Sequence, residues 1–315
     1  MRIVDALLRS EEPSIRWKVR TRVLGEPTDG KAARSLREQI RQSPRVRRLL
    51  SARDADGRIT NPKQVYAKWR GAHWVLAALA DLGYPPGDES LIPLRDQVLR
   101  RWLRDVDVPL VQGRYRRCAS QQGNALRYLT LLGILDGGDA RTLAERLVKW
   151  QWPDGGWNCD RNPTAQTSSF METLLPMRGL VGHDATAAER ATEVFLTRRL
   201  AWRRSTGALI HPDFARLHHP LYWHYDVLGG LVGMVEVGTI GDPRCGEALD
   251  LLAAKRLPDG GWPAEKAYQT RAGDPLDWGG TGAHRTNEWV TADALAVLAA
   301  AGRLSWADPA AGLPA

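Results

Sequence analysis

The chain has 315 residues, 43% hydrophobic and 25% charged, with 44 Lys and Arg against 36 Asp and Glu for a net charge of +8. These values sit in the ordinary globular range and exclude a disordered or collagen-like polypeptide. No apolar run is long enough for a membrane span, and the acids in the opening MRIVDALLRSEEPS argue against a secretory leader, so a cytoplasmic protein is expected. Cys118, Cys159 and Cys245 are widely spaced, contain no CxxC pair, and suit a reducing compartment better than a disulfide framework. The basic excess is carried by Arg scattered along helices, as at Arg37, Arg41 and Arg45, without a nucleic-acid-reading signature. No nucleic acid is therefore expected as a partner; an anionic small molecule or peripheral contact with an anionic membrane surface fits the charge.

In chain order, residues 1–50 read as an N-terminal helical pair, with helices over 14–24 and 31–41. Residues 51–302 read as five helical-hairpin repeats. Each opens on a turn dipeptide: Asp56-Gly57, Gln112-Gly113, Asp154-Gly155, Thr206-Gly207 and Asp259-Gly260. The turns recur about every 50 residues, the mark of one supersecondary unit stacked on its own copies. After each turn a strongly apolar helix is predicted, over 73–82, 124–132, 169–181, 222–238 and 287–302. Between them lie helices with one apolar stripe and more charge, over 91–104, 140–152, 187–203 and 244–256. Residues 303–315 read as a tail.

Counting the N-terminal pair, six buried helices alternate with exposed ones through short loops. The expected fold is a single all-α domain, an (α/α)6 toroid around a central cavity, with little strand. Two repeat copies are almost the same phrase, QWPDGGW at 151–157 and RLPDGGW at 256–262. This pattern resembles the QW repeat of squalene and oxidosqualene cyclases, shared with protein prenyltransferase β subunits, over about residues 45–300. Arg256 stands where the pattern has Gln, and Arg53 does so in the first copy. The resemblance implies the toroid and a cavity suited to polyenes or prenyl chains. The turn residues themselves read as scaffold, with Gly supplying positive φ and Trp157 and Trp262 packing over the turn.

Chemistry is expected where polar groups crowd the starts of the inner helices. The densest segment is HHPLYWHYD at 218–226, from which His224 and Asp226 are candidate catalytic groups and Tyr222, Trp223 and Tyr225 candidate substrate contacts. Glu172 and Glu288 begin apolar helices. Each either favours its helix N-terminus electrostatically or faces a dry cavity as a general acid of raised pKa. His73, Trp74, Asn124 and Trp289 complete the expected lining, the aromatics being able to stabilise a carbocation. The resemblance to prenyltransferases suggests zinc, here on Cys159, Asp160 and His224 or His219. Neither the DxDD acid of class II terpene cyclases nor a DDxxD diphosphate motif is present. Segment 262–286 is long enough to serve as a lid or to be a surface insertion.

The resemblance implies an enzyme using acid–base or metal-assisted cyclisation, isomerisation or lyase chemistry on an isoprenoid, polyene or similar substrate. Two other classes stay open: a non-catalytic prenyl or lipid binder, and a polysaccharide lyase or glycosidase on an α/α barrel.

Overall fold

A computed structural model describes residues 2–59, 65–268 and 275–304. Thirteen α-helices are present among them: α1 (Arg2–Leu8), α2 (Pro13–Lys18, running on as a π-helical turn Val19–Val23), α3 (Lys31–Arg41), α4 (Pro44–Leu50), α5 (Ala72–Leu82), α6 (Ile92–Trp102), α7 (Ala119–Leu131), α8 (Gly137–Trp150), α9 (Phe170–Leu180), α10 (Ala185–Leu196), α11 (Val227–Val237), α12 (Gly246–Ala254) and α13 (Glu288–Ala300). One two-stranded antiparallel ribbon, β1 (Leu110–Val111) with β2 (Arg114–Tyr115), surrounds the Gln112-Gly113 turn. The fold is therefore mostly helical, as the periodicity requires.

The N-terminal fifty residues hold four helices where a pair was expected. At six or seven residues, α1, α2 and α4 are too short to show a clear apolar period, so tertiary packing forms them rather than propensity. Helix α11 begins at Val227, not 222, because Asp226 is extended and its side chain accepts from the Gly229 N–H, capping the helix there.

Helices α2, α5, α7, α9, α11 and α13 are buried around most of their circumference, whereas α3, α6, α8, α10 and α12 bury one stripe. Packing runs from α5 to α7, α9, α11 and α13, and from α13 back to α2. Gly83, at the end of α5, lies so close to Trp17 of α2 that a Cβ would sit 2.6 Å from the indole. The closest pair is α7 with α9. A Cβ on Gly123 would be 2.4 Å from the Pro176 backbone, and one on Gly179 would be 2.2 Å from the Gly123 carbonyl. Only glycine permits that approach, and it brings the polar side chains of both helices within reach of each other.

All five repeat-turn glycines have positive φ, from 68° at Gly207 to 94° at Gly155. The two well-preserved copies are superimposable in their bonding. Trp157 donates to the Leu147 carbonyl at 2.9 Å and Trp262 to that of Leu252 at 2.7 Å. Gln151 donates to the Gly155 carbonyl, and Arg256 donates to that of Gly260 in the same way. Arg thus replaces Gln without loss of the bond, since both offer an N–H at that reach.

Candidate functional site

The inner helices present two polar ends of different character. At their C-terminal ends lies a cavity of about 400 Å³ lined by the last turns of α7, α9, α11 and α13 and by Arg22 after α2. Its walls are apolar: Leu131, Val181, Val232, Val235, Ala296, Val297 and Ala300. Leu131 and Val181 are exposed at its rim.

The floor is a charge network in which Arg127, Arg178, Lys18 and Asp293 are buried and Glu236 and Asp81 half-buried. Glu236 takes two bonds from Arg178, at 2.6 and 2.7 Å, and a third from Arg127 at 3.0 Å. Arg127 also reaches Asp81 of α5 at 2.9 Å, and Lys18 reaches Asp293 at 2.8 Å. Burial works against ionising Glu236, but Arg127 and Arg178 override it and hold its carboxyl well below the usual range. Asp293 is held low in the same way, with Lys18 overriding burial. Both carboxylates stay charged and acceptor-only, so neither offers a proton.

At the helix starts the expected residues are present but grouped differently. Asp226 is fully buried, and its Oδ2 accepts from the backbone N–H of His218 at 2.8 Å and pairs with His218 Nδ1 at 2.6 Å. His218 Nε2 is buried with no hydrogen-bond partner. Asp226 therefore pairs with His218, not His224. His224 stacks on Tyr268 with centroids 3.6 Å apart, and its pKa falls to about 4 through burial, with the neighbouring His218, Lys68 and Lys266 acting in the same direction. The distribution of charge gave no means of telling which of three neighbouring histidines would turn toward Asp226.

Glu288 is exposed and accepts from Ser10 at 2.8 Å, tying α13 to the loop before α2; it does not face the interior. Tyr225 donates to the Leu200 carbonyl and packs with Phe170, Phe195 and Phe214 in a separate aromatic cluster. Tyr222 stacks on Trp69, which meets Trp74 edge-on, while Trp289 stacks on His219. Trp223 lies under the Lys68 ammonium at 4.9 Å. His73 is buried at the start of α5; Trp102 donates to its Nδ1, Tyr128 lies 3.0 Å from the same atom, and Asn124 meets Nε2. Burial lowers its pKa to about 3, so it is a neutral member of a core network.

Glu172 is buried in the first turn of α9 and accepts from the Ser120 N–H at 3.1 Å, so it caps the neighbouring helix α7 instead of its own. Burial raises its pKa. Two thiols also lie beside it: donor atoms of Cys118, Cys159 and Glu172 are all within 4.8 Å of one another. The closeness of the two thiols lowers the Cys118 pKa and raises that of Cys159. The expected zinc set does not fit. Asp160 is exposed, with its carboxylate accepting the Asn162 N–H, and His224 is stacked on Tyr268. A strand-like bridge between Arg116 and Asn158 carries Cys118 to Cys159 instead, a contact across repeats that adjacency in sequence could not reveal.

Arg127, Arg178, Glu236 and Asp293 carry no motif. Their only signal is that each is a charge within an apolar inner helix. The lid segment falls partly on 269–274, outside the described residues.

The chain matches no family model and no curated protein. Among solved structures it is similar to the type II terpene cyclase MstE from Scytonema. The apo form shares 15% identity over 85% of this chain and 99% of that one, with a TM-score of 0.29. A variant bound to geranylgeranyl dihydroxybenzoate shares 17% identity over the same fractions, with a TM-score of 0.27. Another bound to merosterolic acid A shares 14%, with the same coverage and a TM-score of 0.27. Likeness at that level leaves this chain's chemistry to its own side chains.

Proposed function

We propose that the helices form a closed α/α toroid and that the cavity at the C-terminal ends holds an isoprenoid or polyene chain bearing an anionic end group. The observation that carries this reading is the cavity itself. About 400 Å³ suits a small-molecule ligand, the walls are apolar, and the floor is polar and fully paired. The lining sets Arg22, Arg127 and Arg178 against Glu236 and Asp293, one positive charge in excess. Arg22 packs on Trp17 and lines the cavity, a guanidinium well placed for a phosphate or carboxylate. The succession of inner-helix contacts returning from α13 to α2 supports the toroid, and the repeat turns support the kinship with terpene cyclases and prenyltransferases.

Because Glu236 and Asp293 are held ionised, this end favours holding a chain over protonating it. One observation favours an acid-catalysed second reading at the opposite end: Glu172 is buried, its pKa is raised, and Tyr66 and Trp223 lie beside it. Titration with farnesyl and geranylgeranyl monophosphates separates the two. Val232→Trp, which fills the cavity, weakens binding at least about tenfold (about 1.4 kcal/mol) while Glu172→Gln leaves it unchanged. Loss of binding in Glu172→Gln with normal binding in Val232→Trp reverses the assignment.

A further inference from the structure

We propose that Cys118, Cys159 and Glu172 form a site for one thiophilic divalent cation of the zinc type, with a fourth coordination position left to solvent. The three donors come from separate places in the chain and are brought together by specific contacts. Cys118 immediately precedes α7, Cys159 follows the third repeat turn, and Glu172 lies in the first turn of α9. The bridge between Arg116 and Asn158 aligns the two cysteine-bearing segments side by side. The glycine-mediated approach of α7 and α9 then brings Glu172 against the start of α7.

The distances suit a metal. In a tetrahedral thiolate site with metal–sulfur bonds of about 2.3 Å, ligand atoms lie roughly 3.8 Å apart. Here all three pairs lie within 4.8 Å, so side-chain movements of about 1 Å would complete the first shell. Cys159 can make such a movement because it stands in a half-exposed loop, where Asn158, Asp160 and Asn162 each accept from a backbone N–H two residues on. Glu172 is already oriented, since one oxygen is fixed by the Ser120 N–H, the outer-shell hydrogen bond that metal-binding carboxylates commonly have. Two sulfurs and one carboxylate select zinc-type cations over magnesium or calcium, which prefer an all-oxygen shell. Three protein donors, with both thiols half-buried, leave one position for water or an incoming ligand. The site lies at the helix starts and is independent of the cavity at the other end.

The test uses the full chain, reduced and purified anaerobically without chelator, titrated with Co²⁺ and then Zn²⁺. The expected result is one equivalent of Co²⁺ bound with a thiolate-to-cobalt charge-transfer band, displaced by one equivalent of Zn²⁺. Cys118→Ser and Cys159→Ser should each weaken binding more than about tenfold, and Glu172→Gln about tenfold. Cys245→Ser should bind normally, because that thiol is buried elsewhere against the Thr239 carbonyl. Far-UV spectra of the metal-free variants check folding. If a serine variant fails to fold, Glu172→Gln decides, since its amide oxygen still accepts from Ser120. The proposal is overturned by the absence of a thiolate band in wild type with free thiols, by a band that survives Cys118→Ser, or by recovery of Cys118 and Cys159 as a disulfide.

Discussion

The two ends of the inner helices solve the burial of polar groups in opposite ways. At the C-terminal end, charges are held in paired sets, buried Arg127 and Arg178 around half-buried Glu236 and Lys18 on buried Asp293, and an apolar cavity stands above them. At the N-terminal end, polar atoms are embedded among stacked rings, and some are left over: His218 Nε2 has no partner, and two thiols crowd one carboxyl. Paired charge in a low-dielectric interior stays charged, whereas unpaired burial drives groups toward neutrality. Glu236 and Asp293 are accordingly held low, while Glu172 is raised and His73 and His224 are lowered. The denser list of reactive residue types and the apolar cavity of about 400 Å³ thus lie at opposite ends.

Substitutions can break this comparison, beginning with the scaffold that supports both ends. Trp157→Ala and Trp262→Ala each remove a fully buried indole and its bond to the preceding helix, and each should cost about 3–5 kcal/mol in urea unfolding. Farnesyl monophosphate affinity at the cavity should stay near wild type in whatever fraction remains folded.

Glu236→Gln tests the paired end. It leaves Arg127 and Arg178 with a neutral partner, and because Glu236 is about a quarter exposed the expected loss is about 2 kcal/mol rather than the full cost of a broken buried pair. The sign with pH follows from the depressed carboxylates. The stability they contribute is complete above the unfolded value near 4 and drains as pH falls below it. The variant should lose less than wild type over that acid range in a pH series of melting curves.

His73→Gln tests the neutral end. Its folded pKa of about 3 is below the unfolded value near 6.5, so neutral His73 contributes stability fully above pH 6.5 and progressively less toward pH 3. The variant should be about 1–2 kcal/mol less stable at pH 7, through disturbed bonds to Trp102, Tyr128 and Asn124. Between pH 6.5 and 4 its stability should fall less steeply than that of wild type. The smallest effect belongs to Glu288→Gln. That residue is exposed and can still accept from Ser10, so stability should change by no more than about 0.5 kcal/mol and binding not at all.

Much of the fold was legible because it rests on local rules. Turn glycines need positive φ, buried helices read as apolar throughout, and the predicted helix over 31–41 coincides with α3. The site was less legible, since it depends on contacts between repeats. Residue type identified Glu172, Cys159 and Asp226 as worth attention, but their partners are Cys118, Ser120 and His218, reached only after folding. Glu288 and Asp160 have the right chemistry on the wrong face. Arg127 and Arg178 were hidden for the opposite reason: a lone Arg in a helix is so often a solvated surface residue that only packing distinguishes it.

Hydrogen exchange with and without saturating farnesyl monophosphate tests most directly whether the C-terminal ends form the ligand site. Added protection is expected in the last turns of α7, α9, α11 and α13, with no change over 66–74 and 218–226. Protection confined to those two segments, with the C-terminal turns unaffected, would contradict the account.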